Sequence, residues 1–518
     1  MPVRTLNRQQ AWLLPPTLEE LIPDDHPARF VAAFVDSLDR SAWMELGVVL
    51  DGEPLGAPEY HPRGLLSVWL YGFMTGTRST RKLEAACRDT MPYLWLTGWQ
   101  HPDHNTLWRF YEEHRKSMRH LFKRTVRLAV KMGLIDLAVQ AVDGSKIAAN
   151  ASKSRTHNVA ELKQILERTE EAIRDLEAQN TKGEGPAPVH LPAELTRKQE
   201  LCQKVKEAIE QLETEDGREE TNLTDEDASF MKSRHGIIAG YNAQVMVCPV
   251  KNEETKEKGF IITAADVVTD PDDHAQLAPM MEQAEEMTGA KASMTLADGG
   301  YHCGANLLEC ANRGQVVAMP EAQRRALEKP YHKDRFVYNQ EKDSYTCPHG
   351  HVLNFAGEKQ RSRAELPVRI YRGEAAVCRN CPAFGTCTSD KRQGRALEIG
   401  PHEDALRAHR TWMATEEAKA AYKQRKELPE PVFGILKEQR GARRFLLRGL
   451  DNVRAEWLTL GTAFNLRTLW RFWREGTVFW TKRQTQSAPT APHQLAHARP
   501  SRVQSVPHHH HPVWARAA

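Results

Sequence analysis

Three acidic residues stand in contexts that set them apart from the chain's other carboxylates. Asp143 follows the apolar run of LIDLAVQAVDGSK, Asp298 follows a second short run in LADGGYHCGAN, and Glu430 opens an apolar stretch in LPEPVFGILK. Taken singly, an Asp after a strand or a Glu in a helix's first turn is ordinary turn or dipole chemistry. Taken together they point further. Carboxylates gathered at one sheet edge repel and hold on to protons unless cations sit between them. Hard oxygen donors suit Mg2+, which keeps several waters and completes its shell from phosphate. Two such ions about 4 Å apart activate a water or a 3′-hydroxyl and stabilise the leaving oxygen in in-line phosphoryl transfer. The expected cofactor is therefore a pair of Mg2+ ions, replaceable by Mn2+, on Asp143, Asp298 and Glu430.

The chain after Glu430 is basic. From Lys437 to Arg483, eleven Lys and Arg, including Lys437, Arg440, Arg443 and Arg444, stand against Glu438, Asp451, Glu456 and Glu475. Such a block is either a solvated face or a phosphate-binding one. Glu438 competes with Glu430 as the third acid, but one residue past Lys437 it lies about 100° round the helix from it. A second constellation is sulfur-based. Cys378-x2-Cys381-x5-Cys387, with Cys347 upstream beside His349 and His351, has the spacing of a closed structural Zn2+ site. Reduced thiols that only pack are the other reading of the same four cysteines.

These residues need elements to place them. An apolar run is expected to end as a strand at Asp143, with a turn at Gly144; GYNAQVMVCPV from Gly240 and GFIITAADVVT from Gly259 read as further strands before Asp298. Strands followed by helical patterns predict an α/β sheet. Two insertions interrupt it. Leu162, Ile165, Thr169, Ala172 and Leu176, then Leu201, Val205, Ala208 and Leu212, repeat at three and four and predict a charged helical hairpin within 159–229. The second insertion, 301–420, holds the cysteine cluster. Residues 1–135 read as helical, with STRKLEAACRD and PDHNTLWRFYEEHR either a helix-turn-helix that presents Arg109 to a DNA groove or an ordinary packed pair around Trp95, Leu107 and Phe110. The catalytic region is expected over 136–475, and 476–518, with its His508–His511 run, reads as a disordered tail.

Composition excludes some classes. In 518 residues, 71 Lys+Arg against 68 Asp+Glu leave a net charge of only +3, so any attraction for DNA must come from charge placement. No run of about 18 apolar residues or signal pattern is present, so a membrane partner is not expected and the expected compartment is the cytoplasm, at the nucleoid. Nine cysteines, unevenly spread, do not form a disulfide framework there.

Four motifs in order, AVDGSKIAANAS, GYNAQV, LADGGYH and EPVFGILK, resemble those of the DDE transposases of bacterial insertion sequences, whose catalytic domain is similar to ribonuclease H and retroviral integrase. The resemblance extends from STRKLEAACRD and PDHNTLWRF to GARRFLLRGLDNVRAEW and TAFNL. It implies a ribonuclease H-like mixed sheet flanked by helices, with Asp143, Asp298 and Glu430 as the catalytic triad. It also implies binding to element ends and target DNA as a homo-oligomer, followed by cleavage and joining. A nuclease that cuts without joining and an inactive DNA-binding relic are the alternatives. The family's Tyr, Arg, Glu and Lys signature is matched by Tyr422, Arg425, Glu430 and Lys437, with six residues between Glu430 and Lys437. Tyr422, Arg425 and Lys437 are thereby implied DNA-phosphate contacts. Arg425 stands one residue farther from Glu430 than in the tightest form of the signature, where Lys426 sits instead.

Overall fold

The computed structural model describes residues 17–50, 59–181, 191–214, 219–233, 236–251, 259–321, 329–360 and 366–474. The tail from 475 and its His run, and the turn of the predicted hairpin, lie outside the described residues.

The N-terminal third is helical: α1 (Pro27–Asp36), α2 (Arg40–Glu45), α3 (Pro62–Thr75), α4 (Thr80–Asp89), α5 (Met91–Leu96), α6 (His104–His114) and α7 (Met118–Lys131). Proline at the start and glycine at the end bound α3, whose residues Leu65–Met74 are all buried. Gly76 closes it at φ 83°, and a Cβ there would stand 2.6 Å from the Gln439 carbonyl, so both conformation and space require glycine. In the stretch weighed as a helix-turn-helix, α5 lies between the two helices. Asp103 caps α6 by accepting from Thr106 N at 2.6 Å. Leu107 and Phe110 are buried there, whereas Trp95 is half-buried and Tyr93 and Leu94 supply the α5 core.

The strands that carry the site are β1 (Gln140–Ala148), β2 (Thr156–Asn158), β3 (Glu220–Asn222), β4 (Ser229–Ser233), β5 (Gly236–Pro249), β6 (Phe260–Val268), β7 (Met294–Leu296) and β8 (Val316–Ala318). The main sheet runs β4-β5-β1-β7-β8 with β6 also on β5. β4, β5, β6 and β1 pair antiparallel, while β1, β7 and β8 pair parallel. This mixed α/β order is consistent with a ribonuclease H-like fold. The expected turn at Gly144 does not form. β1 continues to Ala148, with Asp143 opposite Val245 and Ala148 opposite Gly240. Close pairing is possible because a Cβ on Gly240 would fall 2.3 Å from the Ile147 carbonyl.

Alternation along β1 sends Val142 into a core under α10 (Leu277–Thr288) and α11 (Gly304–Asn312), with Met246, Met280 and Tyr301. Ala141 points the other way, to Leu296, Ala318, Leu428 and Tyr422. The parallel unit β7-α11-β8 belongs to this sheet, so the second insertion begins after β8 rather than at Tyr301. Its own antiparallel sheet is β9 (Val337–Asn339), β10 (Ser344–Thr346), β11 (Val352–Lys359), β12 (Val368–Gly373) and β13 (Ala396–Ile399), with α12 (Ala375–Arg379) after β12. The first insertion holds α8 (Val159–Thr181) and α9 (Leu191–Thr214), packed through Leu162, Val205, Ala208 and Leu212, with β2 and β3 paired at its base.

The chain returns through α13 (Glu403–Met413), α14 (Glu416–Lys423), α15 (Pro429–Gly434) and α16 (Leu450–Arg474). α16 is buried along most of its length, packing on β6 and on α1, α3 and α7. Asn465 completes the edge of β6: its Oδ1 accepts from Ile262 N at 2.9 Å and its Nδ2 donates to Ile262 O at 2.9 Å. That is the role of Asn465 in the TAFNL stretch. The described residues, 17 to 474, belong to one compact unit.

Candidate active site

Alternation that buries Val142 turns Asp143 toward the face on which α14 and α15 pack. The short β7 delivers Asp298 beside it, where Asp298 caps the following 3-10 turn by accepting from Gly300 N at 2.8 Å. Glu430 sits in the first turn of α15, behind Pro429, which is tolerated there because that N–H has no helical partner. A π turn over Ile435–Gln439 follows directly, a widening that is frequent at functional sites.

The three acids meet around one cation of the protein's own. Arg425 Nη2 lies 2.6 Å from Asp143 Oδ1 and 3.7 Å from Asp298 Oδ2, and its Nη1 lies 3.9 Å from Glu430 Oε1. The 3-10 turn Gln424–Glu427 directs Arg425 inward, 8% exposed, and leaves the neighbouring Lys426 in solvent. Arg425 Nε is buried and finds no hydrogen-bond partner among the described residues. Exposure rises across the triad from 15% for the Asp143 side chain to 39% for Asp298 and 51% for Glu430. Burial pushes the Asp143 carboxyl up to about 6; Arg425 opposes that rise, and Asp298 and Asp273 add to it.

An open cleft exposes this cluster, lined also by Ser145, Lys146, Lys232, Lys437 and Arg443. Lys437 donates to Ser145 Oγ, two residues past Asp143, and lies 5.6 Å from the Phe433 ring centre. Arg443 and Arg444 are exposed; Glu438, the competing acid, lines the same cleft but is paired with Arg443 at 2.5 Å. Other basic residues named from the sequence lie elsewhere. Arg440 is 8% exposed, and burial with Arg467 nearby pulls its proton affinity down to about 10. Tyr422 is half-buried against Leu428 and Ala318, and Arg109 is exposed on α6. Lys146, Lys232 and Asp273 belong to the site's surroundings; Lys146 lies within the AVDGSKIAANAS motif, whereas nothing in the local sequence marks Lys232 or Asp273.

Among the described residues no group of three or more His, Cys, Asp or Glu side chains stands as a ready metal holder. The donor chemistry at the triad nevertheless fits a hard divalent cation. Its donors are carboxylate oxygens, and Asp143's proton affinity, raised first by burial and further by Asp298 and Asp273, is of the kind that a bound cation would offset. In the second insertion, Cys347, Cys378, Cys381, Cys387, His349 and His351 border one cavity. His351 N donates to Cys347 Sγ at 3.3 Å and Arg395 N to Cys378 Sγ at 3.5 Å.

Two segments match known families. Residues 346–470, which contain Tyr422, Arg425, Glu430 and Lys437, match the family described as "Transposase DDE domain". Residues 16–113 match the family described as "Transposase domain (DUF772)". No curated protein matches the chain.

Proposed function

For a chain whose two family matches indicate a DDE transposase of the insertion-sequence type, we propose that it binds the terminal inverted repeats of its element as a homo-oligomer and cuts and joins DNA at the cleft around Asp143. The observation that carries the reading is the meeting of Asp143, Asp298 and Glu430 on Arg425 in a cleft that also holds Lys437.

In the first reaction a water oxygen attacks the end phosphorus, the bond from phosphorus to the 3′-oxygen breaks, and that oxygen takes a proton to become a 3′-hydroxyl. In the second that hydroxyl attacks a target phosphodiester and a new 3′-hydroxyl leaves, so one bond is exchanged for another of the same kind. Asp143, Asp298 and Glu430 would hold two Mg2+ ions, or Mn2+ in their place, which supply nucleophile activation and charge neutralisation at the phosphorus. Lys437, positioned by Ser145, contacts a phosphate close to the reacting one, and Arg443 and Arg444 grip the backbone at the rim. Arg425 balances the acids and keeps them together. A structural Zn2+ on Cys347, Cys378, Cys381 and Cys387 belongs to the same proposal, because thiolates match its preference; metal analysis of purified protein, with a Cys378→Ser/Cys381→Ser variant, tests it.

The decisive assay incubates a labelled element-end duplex and target DNA with wild type and Glu430→Ala, in Mg2+ and in EDTA. Joined product from wild type in Mg2+ alone is expected. Cut but unjoined ends would leave a nuclease, and end binding with no product would leave an inactive DNA-binding protein.

A further inference from the structure

Behind the acids lies a buried polar network. Tyr301 OH donates to Gln244 Oε1, which fixes that amide so that Gln244 Nε2 donates to Asn242 Oδ1 at 3.0 Å and to Asp273 Oδ1 at 2.8 Å. Asn242 Nδ2 donates to the same Asp273 oxygen at 2.7 Å, and Lys146 Nζ reaches it at 3.2 Å. Tyr301, Asn242 and Gln244 are 0% exposed. Three donors on one oxygen of a carboxylate only 19% exposed, two of them from fully buried amides, is a costly arrangement unless it specifies a position.

Two glycines, one directly after Asp143 and one two residues after Asp298, make room for it. A Cβ on Gly144 would stand 2.4 Å from Gln244 Nε2 and 2.6 Å from Asp273 Oδ1; on Gly300 it would stand 2.9 Å from Asp298 Oδ1 and 3.4 Å from Asp273 Oδ2. Asp273 thus approaches β1 from the face opposite Asp143, through the gap left by Gly144, with its second oxygen toward the Asp298 loop. The network also accounts for the polar residues of GYNAQV and for the tyrosine of LADGGYH.

We propose that Asp273 is a positioning residue of the acid cluster: held by Lys146, Asn242 and Gln244, it fixes the Asp298 loop and adds its charge to the Asp143–Asp298 pair, strengthening their hold on a divalent cation. Lys146 tempers that charge. The inference rests on the metal-dependent reading above. It acts through the aspartates and not through DNA.

The test is Mn2+ titration of the full chain without DNA, by calorimetry, on wild type, Asp273→Asn, Lys146→Met and Asp143→Ala, with thermal melts to confirm folding. Asp273→Asn is expected to weaken Mn2+ binding on the order of tenfold and Lys146→Met to tighten it, because the two groups carry opposite charges beside the acid cluster and a charge's effect on a cation's binding follows its sign. A merely structural role would move both variants the same way. A common direction, or no change in either, overturns the proposal. If Asp273→Asn fails to fold, Lys146→Met alone decides: tightening supports, anything else overturns. Wild type that binds Mn2+ no better than Asp143→Ala removes the metal-dependent reading itself, a failure visible before either network variant is compared.

Discussion

Asp143 is a carboxyl whose ionisation the fold opposes. Its proton affinity rises to about 6 from the ordinary aspartate value of 3.8, through burial first, with Arg425 only partly offsetting it. A raised folded value contributes stability that is present below the unfolded value and is lost as pH rises through the folded one. Relative to Asp143→Asn, the wild type without metal should therefore lose stability between pH 4 and pH 6, by about 3 kcal/mol at most. Denaturant melts of both proteins at stepped pH measure this, and a constant difference across the range would refute it. At this scale the sequence marks Asp143, Asp298 and Glu430 through the apolar runs beside them. It names Arg425 only as an implied phosphate contact and not as the partner of the acids, because the inward turn comes from the 3-10 geometry of Gln424–Glu427. Nor does it mark Asp273, whose place depends on a gap in another strand.

Among the elements, α16 joins what the sequence divides into an N-terminal helical part and a sheet. Arg78 Nη1 meets Glu456 Oε1 at 2.6 Å with side chains 6% and 2% exposed, and Glu456 also accepts from Leu446 N and Leu447 N at 3.0 Å. Arg78 donates in turn to the carbonyls of Gly441 and Arg444, so the loop after the π turn is held against α16. Removing one partner strands a buried charge. Glu456→Gln is expected to cost about 3–5 kcal/mol in urea unfolding, and Arg78→Met with Glu456→Leu to lie nearer wild type than either single change. Equal midpoints for wild type and Glu456→Gln would show the pair to be dispensable. The strand and helix periods of this region were legible; the run of β1 past Gly144 was not, because a glycine that breaks an isolated strand is here the one that admits its neighbours.

For the whole molecule the net charge is +3, yet Lys437, Arg443 and Lys232 line one cleft with the acids, and Arg444 is exposed close by in sequence. End-DNA binding should fall steeply with salt, and each of Lys437→Gln, Arg443→Gln and Arg444→Gln should lessen the log–log slope by about 0.9. Buried Arg440 gives the contrast, since Arg440→Gln should leave that slope unchanged. Anisotropy titrations across a salt series measure both, and a slope equally sensitive to Arg440 would move the interface elsewhere. Among the described residues no helix is long and apolar enough to cross a membrane.

Local chemistry alone determined the acids, the helical and strand periods, the hairpin insertion and the cysteine spacing, because each is written in neighbouring residues. Tertiary structure decided which charges meet. Arg425 among the acids, Glu438 paired with Arg443, Arg440 buried and Asp273 beneath Gly144 all depend on elements far apart in the chain packing onto opposite faces of one sheet. A side chain's electrostatic partners are set by that packing, and no spacing along the sequence encodes it.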